Sequence, residues 1–279
     1  MAREHDAALH GKKQPGIWKT SFVALSQCWG SSVIVAILML GLVFWQMVGP
    51  FSGQVYVIFL LGLVIWGYFA LSLFGWLLSG CSSIVIFKEI DKSRVRRFFG
   101  RYLVLQVIDT LPSSLTSLVL TGHFLLSPVD MVNNANLAAV GISSIATFAV
   151  LWIVLVFFAT LLPAALVGDG SGVRRAVARG RKTVWYVTSR LLLGPLLMLL
   201  LGSMIVNLVQ TVGGEPMISS DGALVVNTTS VIAMVISSLQ FIVVVAMIAV
   251  IVSRAYKLGE ARLLKTDKQN EEIASEYAV

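Results

Sequence analysis

Six long apolar stretches divide this chain: Ser32–Val48, Val55–Phe87, Tyr102–Ser127, Leu137–Val167, Trp185–Gln210 and Leu224–Val252. Each reaches the roughly 17–25 residues that a helix needs to cross a bilayer core. A run this apolar must be helical in lipid, because any other backbone would leave its peptide groups unpaired. Only 13% of the residues are charged and 57% are apolar, against about one quarter and one half in a soluble domain. That balance excludes a disordered chain, a basic nucleic-acid-binding domain and an ordinary cytosolic enzyme. The expected fold class is all-α: a polytopic membrane helix bundle of six transmembrane helices with cytoplasmic interfacial amphipathic segments.

Orientation follows from the 21 Lys and Arg. They fall before the first stretch, between the second and third, around the start of the fifth, and after the sixth. The alternate connections carry only Asp130, Glu215 and Asp221. Under the positive-inside rule, both termini and both basic loops of this multi-pass chain are expected to be cytoplasmic. Three regions result: a polar tail over 1–16, a membrane domain over 17–253 and a cytoplasmic tail over 254–279. Met1–Gly16 lacks the apolar core of a signal peptide, so the first span is expected to be retained. The last region mixes Lys and Glu as a solvated helix or mobile tail does, and should be dispensable for insertion.

Two stretches exceed what a bilayer requires. Val55–Phe87 would make about 50 Å of helix against a core of about 30 Å, and Leu137–Val167 is nearly as long. Tilting or an interfacial extension absorbs the excess; Gly75, Ser79–Gly80 and Pro163 offer bending points. Before the first stretch, Trp18, Phe22, Leu25 and Trp29 line one helical face. This segment reads either as a helix lying in the interface or as an extension of the first span.

The two basic loops open alike. Asp91-Lys92-Ser93-Arg94-Val95-Arg96-Arg97 and Asp169-Gly170-Ser171-Gly172-Val173-Arg174-Arg175 share the pattern D-x-S-x-V-R-R, 78 residues apart. A proline follows in each next stretch, Pro112 and Pro195. The pattern suggests a parallel duplication over approximately 55–127 and 137–210. Asp or Ser can cap a helix here, whereas Arg in a first turn opposes the helix dipole. Anionic lipid headgroups would offset the charge of Arg96, Arg97, Arg174 and Arg175; alternatively these arginines serve orientation alone.

The span pattern, together with the G-D-G-S-G-V-R-R-A-V-A-R-G-R-K-T-V-W run inside Val167–Leu193 and more weakly Ser79–Leu105, resembles two bacterial inner-membrane families. They are the YciC-like integral membrane proteins and the membrane domain attached to some glycerophosphodiester phosphodiesterases. The resemblance implies a multi-pass accessory role in the cell inner membrane. The phosphodiesterase catalytic domain is not in this sequence, so no hydrolase activity carries over.

Chemistry-bearing constellations are few. His5, His10 and His123 are too scattered for a triad or metal cluster, and Cys28 and Cys81 have no zinc or redox spacing. Gly168–Gly172 lacks the G-x-x-x-x-G-K-[ST] pattern of a nucleotide loop, and no cofactor is expected. Asp109 does not belong in lipid: a charged Asp at a helix centre costs about 2.5–3.5 kcal/mol on insertion scales. Gln106 shares its face, and Asn207 is a candidate partner from the fifth stretch. A polar clamp between helices and a proton or ion relay both fit. The sequence thus favours a non-enzymatic accessory or organising protein that contacts membrane lipid, anionic headgroups included, or other membrane proteins, without nucleic acid. The alternative is a small transporter or channel using Asp109, with a lipid-acting enzyme third.

Overall fold

A computed structural model describes residues 15–48, 54–80, 90–121, 137–170, 172–213 and 228–276. Asp130, Glu215 and Asp221, expected on the outer side, and His123 lie outside the described residues. Every regular element described is helical. In chain order these are α1 (Ile17–Gln27), α2 (Trp29–Val48), α3 (Gln54–Ser79), α4 (Lys92–Thr121), α5 (Leu137–Ile153), a π-helical turn (Val154–Phe158), α6 (Leu161–Val167), α7 (Val173–Leu191), a second π-helical turn (Leu192–Leu196), α8 (Leu197–Gly213) and α9 (Thr228–Glu276).

Among the described residues, four stretches are long and apolar enough to cross a membrane: Tyr56–Ser79, Ile145–Val167, Val173–Gly213 and Thr228–Glu271. A fifth results if α1 and the start of α2, bent by 85°, form one span. That bend means α1 is not a straight continuation of α2. α4 is not among them up to Leu115, the last residue of that helix whose side chain is described, while the span expected from Tyr102 runs on to Ser127.

The basic loops read from sequence are helix. Lys92–Arg101 forms the first turns of α4, continuous with the apolar part that follows. Val95, Phe98 and Tyr102 recur at steps of three and four, which gives this segment an apolar face. Phe98 and Tyr102 are buried there, stacked with ring centroids 6.3 Å apart. Arg174–Arg190 likewise lies on α7, and Arg254–Lys268 on α9. α9 has 49 residues, about 74 Å of helix, so most of its second half overshoots any bilayer core.

The core gathers around α9, half of whose most apolar window is buried. One cluster joins Phe69, Leu73 and Phe74 of α3, Phe98, Tyr102 and Leu105 of α4, Leu162 and Ala165 of α6, and Ala246 and Ala249 of α9. A second joins Ile17 of α1 to Val156, Val187, Met247 and Ile251. Arg254 ties the end of α9 to the start of α1, donating to the Pro15 carbonyl at 2.9 Å and the Thr20 hydroxyl at 2.7 Å. Arg262 donates to the Lys182 carbonyl. These contacts bring the N-terminal, second central and C-terminal basic segments to one end of the bundle.

Candidate functional site

Two features stand out: a buried arginine cluster at the basic end and an apolar cavity holding Asp109. The cluster begins where α6 stops. Gly168 has φ +85°, the left-handed conformation that favours glycine at a helix end. Chain reversal there carries Asp169 toward α7. On α7, Ala176, Arg179, Gly180, Thr183 and Val187 form one buried stripe. A Cβ at Gly180 would stand 2.7 Å from the Val156 carbonyl oxygen and 2.9 Å from the Phe157 Cα. Only glycine allows α7 to lie this close to the π-helical turn.

That approach seals Arg179 completely. Its Nη1 donates to Asp169 at 3.2 Å and to Glu260 of α9 at 2.5 Å. Its Nε reaches the Thr160 hydroxyl at 3.4 Å, and its guanidinium carbon lies 5.0 Å from the centre of the Tyr256 ring. Arg175 makes two further bonds to Glu260, at 3.2 and 2.7 Å. Two guanidinium groups therefore face two carboxylates, and a buried charge is tolerable only with such pairing. Burial pushes the Glu260 carboxyl up, but the hydrogen bonds and charges of Arg175 and Arg179 outweigh it and hold the group below the usual glutamate range. Glu260 lies eight residues past Val252, where the apolar stretch ends.

The first copy of D-x-S-x-V-R-R turns to the same place. Arg101 donates to the Leu161 carbonyl at 2.8 Å. Arg94 donates to the Leu166 carbonyl at 3.3 Å, and its guanidinium lies against Gly168. Leu166 is in the last turn of α6, whose carbonyls lack helical partners and favour cations. The two aspartates diverge. Asp91 caps α4, accepting from the Ser93 amide at 3.2 Å and from its hydroxyl, and these bonds hold its carboxyl below the usual range. Asp169 pairs with the buried Arg179 of α7.

Of the four arginines singled out from sequence, Arg96 and Arg174 are exposed. Arg97 is exposed and donates to the Ser93 carbonyl at 3.4 Å. Arg175 is engaged by Glu260. Arg179, Asp169, Glu260 and Tyr256 were not among the candidate residues. Carrying the motif four residues further, to D-x-S-x-V-R-R-x-x-x-R, shows Arg101 and Arg179 at matching positions.

The cavity, of about 740 Å³, lies between the two π-helical turns and among α3, α4, α5, α8 and α9. Tyr102, Leu105, Gln106 and Asp109 reach it from one face of α4. Leu155 comes from the first π-helical turn and Pro195 from the second. Such turns widen a helix locally and recur at functional sites. Asp109 Oδ1 is buried and makes no hydrogen bond among the described residues. Asn207 does not join it: that residue is exposed on α8, where its carbonyl accepts from Thr211 at 2.9 Å. Gln240 serves elsewhere, its amide donating to the Met198 and Leu199 carbonyls at 3.2 and 3.0 Å.

The chain matches no protein-family model, no curated protein and no solved structure.

Proposed function

We propose that this is a non-enzymatic, six-span protein of the cell inner membrane, with both termini cytoplasmic, acting as an accessory component that associates with membrane lipid and other membrane proteins. The observation that carries the reading is a stripe on α7. Arg174, Arg181 and Trp185 follow at steps of seven and four and are all exposed, Trp185 by 83%. Beyond them Leu192 and Leu193 are exposed as well. Cations, then an indole, then apolar side chains is the order met on passing from water through headgroups into acyl chains. Arg96 adds a cation from α4. α1, set at 85° to α2 with Phe22 exposed and Trp29 exposed at the start of α2, suits a helix in the same interface.

The test is retention of anionic lipid on gentle purification. Each headgroup-facing cation contributes about 1 kcal/mol, so Arg96, Arg174 and Arg181 replaced together by Gln should markedly reduce co-purifying phosphatidylglycerol at low salt. High salt should shrink the difference by screening. Unchanged lipid at low salt would overturn the headgroup role. A second reading, a small transporter or channel, is favoured by Asp109 in the cavity, whose buried Oδ1 has no hydrogen-bond partner among the described residues. Solute or proton flux in proteoliposomes, abolished by Asp109→Asn, would support it.

A further inference from the structure

We propose that the cavity beside Asp109 is a binding site for a lipophilic cation, an amine or onium ion with a bulky apolar body. Its volume of about 740 Å³ falls within the 300–1,000 Å³ typical of small-molecule sites. The walls are apolar and rich in rings: Trp66, Phe74, Tyr102, Phe148, Trp152 and Phe241 all line it. Aromatic faces attract cations, the more so when water is excluded.

Charge decides between occupants. Among the described lining residues Asp109 is the one acid, and none of them is Lys, Arg or His. A fatty acid or a phosphate would meet Asp109 with like charge and find no cation to hold it. The Trp152 indole N–H, a donor an anion could use, is already given to Thr188 at 3.1 Å. A neutral acyl chain would fill the space but leave Asp109 Oδ1 buried without a partner, which costs free energy. A cation satisfies that oxygen, and the Gln106 side chain, one turn away on the same face of α4, offers a further carbonyl acceptor. This inference shares Asp109 with the transport reading and rests on it only for the identity of the site, since binding does not require movement.

The experiment is equilibrium dialysis of the full chain in detergent with labelled tetraphenylphosphonium and, separately, with tetraphenylborate, an anion of the same shape. Saturable binding of the phosphonium with weak or no binding of the borate is expected. Asp109→Asn should weaken phosphonium binding tenfold or more, and Asp109→Glu should keep most of it, which separates loss of charge from loss of fold. Ala149 is an exposed lining residue, and Ala149→Trp should also reduce binding by occupying the space. Equal affinity of the wild type and Asp109→Asn would overturn the proposal and leave the cavity to neutral chains. Borate binding as tight as phosphonium would overturn it too. Flux is read apart: phosphonium binding without transport in proteoliposomes sustains the site and contradicts the transport reading alone.

Discussion

Arg179 carries a full charge to a place with no solvent exposure, and its neighbours are what make that possible. A buried ion pair adds little net stability compared with apolar packing, but removing one partner strands the other. Arg179→Met should therefore destabilise the protein by about 3 kcal/mol, the lower end of the usual range for breaking a buried pair. Asp169 and Glu260 keep some exposure, 24% and 17% of their side chains; thermal unfolding in detergent measures the loss. The acid limb of stability should depend on Glu260. Its carboxyl is depressed in the folded state, so its contribution is fully present above the ordinary glutamate pKa and disappears as pH falls through the depressed value. Unfolding midpoints of the wild type should fall over that acid window more steeply than those of Glu260→Gln; parallel curves would contradict the pairing. The sequence held part of this site, since Arg101 and Arg179 occupy the same place in the two motif copies. Glu260 was not legible: it lies 81 residues from Arg179, on a tail whose alternating charges look solvated.

α7 meets the first π-helical turn at Gly180 and α9 at Gly259, where side chains are smallest. Gly180→Ala would drive a Cβ into the backbone of Val156 and Phe157, and overpacking of this kind costs roughly 1–3 kcal/mol. The variant should unfold earlier while still inserting into the membrane. The tail makes a sharper test. From sequence it reads as dispensable for insertion; for stability it matters, since Ala255 and Tyr256 are buried and Glu260 closes the cluster. Truncation after Lys257 should permit insertion but lower stability, whereas truncation after Lys268, beyond Arg262 and its bond to the Lys182 carbonyl, should be close to neutral. Equal stability of the two truncations would argue against a structural role for Glu260. Element bounds were legible where local chemistry sets them. α6 ends at Val167 as expected, because Gly168 adopts the left-handed turn that stops a helix. The π-helical turns were not legible. Val154–Phe158 carries no breaker, and only close packing against Gly180 and the cavity marks it.

For the molecule as a whole, hydropathy and cation placement made the all-helical, membrane-compatible class legible, because both are sums over many residues. The cavity was not, since its lining comes from separate helices and only Gln106 and Asp109 signalled it from one face of α4. Contacts of Arg254 with Pro15 and Thr20, and of Arg262 with Lys182, gather basic segments distant in sequence at one end of the bundle. That convergence supports the proposed orientation, in which every basic segment faces the cytoplasm across six spans. Single cysteines report it most directly. They are introduced at Ser52, Asn134, Ser219 or Ser171 in a chain whose Cys28 and Cys81 are replaced, and intact cells are exposed to a membrane-impermeant thiol reagent. The account predicts labelling at Ser52, Asn134 and Ser219, and at Ser171 only after the membrane is opened. Labelling of Ser171 in intact cells, or protection of any of the other three before opening and reaction after it, would contradict it.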